Sequence, residues 1–176
     1  MEKNLQNHYK NIITYDLLTK LNFQNIFKIT KVTKICLNIG FKEANIEKKK
    51  LINIILLLKL ITNQKPIVTK SKKNNISLKI KKNSIIGCKL TLRKKNIFIF
   101  LENFLIFILP NLIKNNFNAK NKNIFNFQIK NILDFFELKT EFLKFKNIPP
   151  IDVSIHTNAK NKNELFLLLN SFLIIK

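Results

Sequence analysis

Polar residues that could contact nucleic acid recur at every second position in several short segments of the chain. Such alternation is typical of β-strands with one buried and one solvated face. Lysines there would neutralise phosphates, and short amide and hydroxyl groups would hydrogen-bond to sugars and base edges. We therefore predict a surface for a folded RNA, with an unliganded solvated face as the alternative. The residues expected on this face are Lys34, Asn38, Lys79, Lys81, Lys89, Thr91, Arg93, Asp152 and Ser154, with Gln64 in a nearby turn.

A second candidate region is the basic segment 70–82, which is predicted to form a hairpin loop. A basic hairpin is a common means of reaching into RNA. A solvated loop in a lysine-rich chain would have the same composition, so that alternative stays open. Its lysines are Lys70, Lys72, Lys73, Lys79, Lys81 and Lys82.

No grouping of residues in the sequence supports catalysis. His8 and His156 adjoin no recognisable serine, cysteine or carboxylate motif. Gly40 and Gly87 are the only glycines, so a glycine-rich phosphate loop cannot form. The two cysteines are far apart and belong to no CxxC pattern. We expect no enzyme activity, no metal site and no cofactor.

The charge balance of the chain predicts a polyanionic partner. Its 176 residues include 32 basic and 10 acidic ones, which gives a formal net charge of +22. Nucleic acid is the commonest partner for such an excess, and an anionic membrane surface is the second. Arg93 is the only arginine, although arginine recognises phosphate better than lysine does. Because Lys, Asn, Ile and Phe have AT-rich codons, this bias indicates a small AT-rich organellar genome.

Two apolar stretches test the membrane alternative. Residues 51–61 are too few to span a bilayer. Glu102 and Pro110 interrupt the longer stretch at 97–113. Both are predicted to be buried helices. The first residues resemble neither a signal peptide nor a transit peptide, so we expect the protein to act where it is made, or to lack its targeting segment here.

Hydrophobic periodicity predicts alternating types of secondary structure along the chain. Residues 132–146 are ambiguous, and the Lys/Asn-rich residues 114–123 are predicted to be a loop. We expect one α+β domain over 1–176, with a largely antiparallel sheet, helices packed on one face and RNA bound to the other. Helices are predicted at 8–23, 47–61 and 96–113 and after the N-cap Asn161, and strands at 30–39, 67–70, 78–81, 86–93, 125–130 and 151–157.

Four blocks of sequence resemble one protein family. They are similar to segments of the bacterial-type large-subunit ribosomal protein that binds 5S rRNA, the L-five family. The second block resembles that family's I-[TS]-G-Q-K-P-x-x-T-K segment, and the third its I-G-C-K-V-T-L-R strand. The order and spacing of the blocks match, and the resemblance covers nearly the whole chain. The blocks are 32–40, 60–73, 86–93 and 152–160.

The resemblance implies a place in the central protuberance of the large subunit, with 5S rRNA on the sheet. It implies that a hairpin loop reaches the peptidyl-site tRNA and that the protein touches a small-subunit head protein. The implied rRNA-binding residues are Lys34, Asn38, Gln64, Lys65, Thr69, Lys70, Lys89, Thr91, Arg93 and Asp152. The implied tRNA-contacting residues are Lys72, Lys73, Asn74, Asn75, Ser77 and Lys79.

The chain departs from the family pattern in three places. Residues 118–127 contain no glycine where the family has a glycine-rich loop, and this affects the expected bridging contacts. Residues 74–78 are bulkier than the family's loop tip. Pro149 and Pro150 replace an Arg-Gly pair before the last strand.

The sequence therefore predicts a structural constituent of the large ribosomal subunit. Its expected partners are 5S rRNA, large-subunit rRNA, peptidyl-site tRNA and neighbouring ribosomal proteins, and no membrane. The expected location is the mitochondrial matrix, with the plastid as the alternative. A free-standing organellar RNA-binding protein or chaperone is the second hypothesis, although that class needs exposed aromatic residues on its sheet. A peripheral membrane protein is the third.

Overall fold

The computed structural model describes residues 4–41, 48–78, 80–112, 123–145, 148–172 and 174. The chain divides into two compact units. Unit 1 comprises Met1–Ile35, Leu92–Phe127 and Ser154–Lys176, and unit 2 comprises Cys36–Thr91 and Gln128–Val153. Lys79 and most of the loop predicted at 114–123 lie outside the described residues. The single domain over 1–176 stays a prediction.

Five strands form one antiparallel sheet, which confirms the predicted α+β class. The strand order is β2-β3-β1-β5-β4. The strands are β1 Val32–Gly40, β2 Ile67–Lys70, β3 Ile85–Leu92, β4 Ile124–Ile129 and β5 Ile151–Thr157.

Alternation along the strands separates a buried side from a polar side. The inward residues are apolar and 2% exposed or less, whereas the residues between them are exposed or half-buried. This burial is the largest favourable term in the fold, because about 25 cal/mol is gained per Å² of apolar surface removed from water. The inward residues are Ile35, Leu37 and Ile39 in β1, Cys88, Leu90 and Leu92 in β3, and Ile151, Val153 and Ile155 in β5.

Helices of unit 1 supply most of its aromatic core. Tyr9 stacks on Phe172 and tilts against Phe98, with ring centroids 5.5 Å apart in both pairs. Leu165, Leu168 and Leu169 are fully buried, and their spacing places them on one face of the helix that follows Asn161. Helices α1 (Asn4–His8) and α2 (Thr14–Lys20) are joined by the π-helical turn Tyr9–Ile13. Helices α4 (Lys95–Asn103) and α5 (Leu109–Leu112) are joined by the π-helical turn Phe104–Ile108. Helix α7 comprises Lys162–Ser171.

Unit 2 is built around helix α3, Lys48–Thr62. Its residues Leu57 and Leu58 are inaccessible to solvent. Two 3₁₀ turns, Ile132–Asp134 and Phe136–Glu141, lead into the short helix α6, Phe142–Phe145. Asn53 of α3 donates a hydrogen bond to the Lys144 carbonyl at 3.1 Å. This segment is the part of the sequence whose periodicity was ambiguous.

The interpretation of both apolar stretches as buried helices agrees with the structure. Residues 51–61 lie within α3, and residues 97–112 run through α4 and α5. Among the described residues, no helix combines the length and the apolar character that a membrane span requires.

Candidate nucleic-acid interface

The polar side of unit 2 brings together residues from β1 and β3. The Thr91 hydroxyl lies 3.9 Å from the Cys36 sulfur, and the Phe41 N–H donates to the Ile86 carbonyl at 2.9 Å. Because both contacts fit one antiparallel register, they place Asn38 opposite Lys89. Both of these side chains are exposed. An amide and an ammonium group therefore lie side by side, as the alternation predicts.

Strand β2 continues this polar side beyond β3. Ile67 pairs with Lys89, and Thr69 pairs with Gly87. The Thr69 hydroxyl lies only 3.1 Å from the position that a Cβ on Gly87 would occupy. Thr69 is half-buried, and Lys70, which follows it, is exposed. Because Gly87 has no side chain, the Thr69 hydroxyl has room on the polar side of the sheet.

Gln64 reaches the same area from the end of α3. Asn63 turns the chain there with φ 52°, the left-handed conformation in which the family segment has glycine. The Thr62 hydroxyl donates to the Leu58 carbonyl at 2.6 Å and fixes the last turn. Gln64 Nε2 then donates to the Thr91 carbonyl at 3.4 Å. Lys65 follows in an exposed position.

Asp152 places a carboxylate on the polar side of unit 2. Its Oδ1 accepts a hydrogen bond from Gln128 Nε2 at 2.9 Å, and both residues are exposed. Gln128 was not among the predicted site residues, although the alternation of β4 points it outward. The Gln128 amide and the Asp152 carboxylate therefore contribute hydrogen-bonding groups to the polar side, but no positive charge that could bind a phosphate.

Two of the predicted rRNA-binding residues, Lys34 and Arg93, belong to unit 1. Lys34 is half-buried and Arg93 is exposed. His156 also lies in unit 1, and its carbonyl accepts a hydrogen bond from the Thr33 hydroxyl at 3.0 Å. Burial and, second, the positive charge of Lys34 lower the pKa of His156. His156 was absent from the predicted site, although its alternation in β5 points it outward.

The predicted basic loop is a turn anchored by Ser71. The Ser71 N–H donates to the Ser84 carbonyl at 2.9 Å, and Asn83 N–H donates to the Ser71 carbonyl at 3.0 Å. Asn75 and Ile80 form one isolated antiparallel bridge near the tip. The described residues expected to contact tRNA are all exposed: Lys72, Lys73, Asn74, Asn75 and Ser77.

The strand predicted at 78–81 is wrong. The described residues on both sides of Lys79 form a turn closed by the Asn75–Ile80 bridge, and Leu78 is exposed. Because the Asn75 side chain accepts hydrogen bonds from Ser77 and Leu78, the local polar bonds favour a turn over a ladder. Lys81 therefore lies in the loop and not on a strand.

The side chains grouped on this surface, which are amides, a hydroxyl and lysines, can bind phosphates and sugars. In the described part of the chain, no group of three histidine, cysteine or acidic residues could hold a metal ion. Burial raises the pKa of the Cys88 thiol, which makes it a poor nucleophile. The fold is α+β, and this surface has the composition of a binding site for a polyanion.

Comparison with known proteins identifies the family. The model described as Ribosomal protein L5 matches residues 25–81, and that described as ribosomal L5P family C-terminus matches 85–174. The large ribosomal subunit protein uL5m of Reclinomonas americana is 38% identical, with 97% of this chain and 96% of the relative covered. The large ribosomal subunit protein uL5 of Ehrlichia canis is 35% identical, with 96% of each covered. The chain belongs to the ribosomal protein L5 family, a large-subunit family of structural proteins and not of enzymes.

Proposed function

We propose that this ribosomal protein holds 5S rRNA on the large subunit through the polar side of its sheet. The observation that carries the proposal is the grouping in unit 2 of Asn38, Gln64, Lys89 and Thr91, which come from three separate segments. Grouped amides, a hydroxyl and a lysine can together address the phosphates, sugars and base edges of one folded RNA.

The binding mechanism is charge neutralisation combined with recognition of RNA shape. Lys65, Lys70 and Lys89 are exposed and can each displace counterions from a phosphate. Asn38 and Gln64 carry both a donor and an acceptor, so they can address a 2′-hydroxyl and a base edge. No step of turnover is involved.

The loop at 71–84 is the proposed contact to the peptidyl-site tRNA. Its anchoring bonds at Ser71 hold the base, and the described lysines and asparagines of the loop are exposed. Exposed lysines on a fixed base suit a phosphate backbone that arrives and leaves with each tRNA. Contacts to neighbouring ribosomal proteins, including a small-subunit head protein, are part of the same proposal.

The proposed location is a mitochondrial ribosome, with the plastid as the alternative. The abundance of residues whose codons are AT-rich supports an organellar gene, and one relative is the mitochondrial uL5m of Reclinomonas americana. Bacterial uL5 proteins match over a similar length, as in Ehrlichia canis. Fractionation of the source cells, followed by detection of the protein in organellar ribosomes, tests this part.

The function is tested with the double variant Lys89→Ala, Arg93→Ala. We expect weaker binding to a 5S rRNA transcript and loss of co-sedimentation with large subunits. The slope of log affinity against log salt should fall by about 1 for each phosphate contact removed. The matched control is Lys10→Ala, Lys59→Ala, which removes two exposed lysines from helical segments.

Unchanged co-sedimentation of the Lys89, Arg93 variant would contradict the proposal. Equal losses in both double variants would mean that only net charge matters. A chain that binds random single strands as tightly as 5S rRNA would instead support the free-standing chaperone.

A further inference from the structure

Phe27 has a strongly exposed aromatic side chain, with 91% of its surface accessible to solvent. It lies in the 3₁₀ turn Ile26–Lys28, which follows Asn25. The Asn25 side chain accepts a hydrogen bond from the Phe27 N–H at 3.3 Å. The turn thus holds the ring outward, away from the core that buries most phenylalanines.

The base of this turn is fixed to the end of β5 by Asn158. Asn158 Nδ2 donates to the Ile29 carbonyl at 3.2 Å, and its Oδ1 accepts from the Lys31 N–H at 2.6 Å. The Asn158 N–H also donates to the Lys31 carbonyl at 3.2 Å. Ile29 and Thr30 are buried directly below. Because the base is rigid, presenting the ring to a partner costs little additional ordering entropy.

Three exposed lysines lie in the two segments that the Asn158 bonds join. Lys28, Lys31 and Lys160 are all exposed, and the Asn158 bonds bring residues 28–31 beside residues 158–160. None of these three lysines forms an ion pair with a described residue. The nearby carboxylate of Glu164 accepts a hydrogen bond from the Lys160 N–H at 2.9 Å at the start of α7. An aromatic ring among unpaired lysines matches the chemistry of a base flanked by phosphates.

We propose that Phe27, Lys28, Lys31 and Lys160 form a second RNA contact, which we call the Phe27 platform. In it the phenylalanine ring stacks on an unpaired base and the lysines bind the adjoining phosphates. Stacking on an aromatic ring tolerates every base, since each has a π-face. All residues of the platform belong to unit 1, and none belongs to the group described in unit 2. That the RNA is ribosomal rests on the proposed function; the stacking itself does not.

The chain contains no tryptophan, so the variant Phe27→Trp carries a single tryptophan as its fluorescent reporter. Its emission is followed while a short oligoadenylate strand, or the same strand paired with its complement, is added. We expect saturable quenching by the single strand and little by the duplex. The control is Tyr15→Trp, at a residue of unit 1 that is 66% exposed and outside the platform.

Substitutions at Phe27 separate stacking from simple apolar contact. Phe27→Ala should weaken oligoadenylate binding about fivefold to 150-fold, the usual range for one stacked base. Phe27→Leu should weaken it nearly as much, because leucine is apolar but has no ring. Leucine binding as tightly as phenylalanine, or equal quenching of the Tyr15→Trp control, would overturn the inference. So would a blue shift of the Phe27→Trp emission with phosphatidylglycerol vesicles but not with RNA.

The two proposals fail in distinguishable ways. If Phe27 variants bind oligoadenylate normally while Lys89→Ala, Arg93→Ala still loses 5S rRNA, only the platform is refuted. If the Lys89, Arg93 variant keeps 5S rRNA while Phe27→Ala loses oligoadenylate, the platform stands and the proposed function falls.

Discussion

At Gly87 the backbones of two strands come so close that no side chain fits between them. A Cβ there would lie 2.5 Å from the Ile39 carbonyl oxygen, a distance that real Cβ atoms essentially never show. The clash is with backbone, so it cannot be relieved by a rotamer change. At Gly40 a Cβ would meet nothing within 4 Å. One of the two glycines is therefore required by packing and the other is not.

We predict that Gly87→Ala destabilises the protein by about 1–3 kcal/mol, the usual cost of forcing extra atoms into a packed region. Because β1 and β3 must separate, 5S rRNA binding should weaken as well. Gly40→Ala is the matched control and should change stability little. Urea unfolding of both variants provides the measurement. Equal stability of the two would show that the strand contact does not have this geometry.

Asparagine takes the place of glycine at turns of this chain. Asn22, Asn63 and Asn83 have φ values of 49°, 52° and 66°, in the left-handed region that glycine usually occupies. Asparagine tolerates this region better than other residues because its short side chain bonds locally. The resemblance could locate the turn at Asn63. Composition alone could not, since asparagine is common throughout the sequence.

The titration of His156 reports on the polar side of unit 1. Burial, and then the charge of Lys34, lower its pKa below the ordinary value of 6.5. The unfolded chain therefore binds more protons in this range, so stability falls as the pH drops from 6.5 toward the folded pKa. We predict an NMR titration midpoint below 6.5. Lys34→Ala should raise it part of the way, whereas Lys10→Ala should leave it unchanged. A midpoint at or above 6.5 in the free protein would contradict this description.

Among the larger elements, the loop at 71–84 depends on one buried serine. The Ser71 hydroxyl donates to the Lys81 carbonyl at 2.5 Å and lies 3.2 Å from the Ser84 hydroxyl. Asn74 accepts a hydrogen bond from the Lys82 N–H at 2.6 Å, which closes the turn from the other side. These bonds fix the loop although its tip packs against little.

We predict that Ser71→Ala loosens this loop by about 0.5–1.5 kcal/mol, the usual net contribution of one hydrogen bond, because the Lys81 carbonyl keeps its bond from the Ser84 hydroxyl. Hydrogen exchange at Asn83 and Ser84 should become faster, while binding of 5S rRNA stays near its normal level. Lys73→Ala, at an exposed residue of the same loop, is the control and should leave exchange unchanged. A uniform rise in exchange over the whole of unit 2 would show that Ser71 supports the fold and not the loop.

The predicted boundaries match the structure in β2 and β5, whereas the helix predicted at 8–23 extends from Asn4 to Lys20 and contains the π-helical turn Tyr9–Ile13. Strand β5 runs over the predicted residues Ile151–Thr157, because three apolar residues alternate with three polar ones. At 78–81 only Leu78 and Ile80 carried the pattern, and local asparagine bonds prevailed. At 132–146 the buried residues follow two 3₁₀ turns, which have no long period to detect. Asn161 is the N-cap of α7 as predicted, but its side chain makes no cap bond, and Glu164 bonds to Lys160 instead.

For the whole molecule, alternation predicted which residues face solvent but not which strands are neighbours. The order β2-β3-β1-β5-β4 depends on long-range pairing that no local pattern encodes. That order brings Thr91 beside Cys36 and lets Gln64 reach Thr91 from the end of α3. The net charge of +22 indicated a polyanion without indicating which surface would bind it. The site therefore combines residues predicted singly with neighbours that only the fold supplies.

The most direct test of the proposed RNA-binding side of the sheet is photocrosslinking from position 89 in assembled ribosomes. A photoreactive amino acid replaces Lys89 in one variant and Lys59, an exposed residue of α3, in the control. After irradiation of purified large subunits, we predict that 5S rRNA is the main RNA crosslinked from position 89 and is absent from position 59. Crosslinks from position 89 to protein alone, or equal yields of 5S rRNA from both positions, would contradict the account.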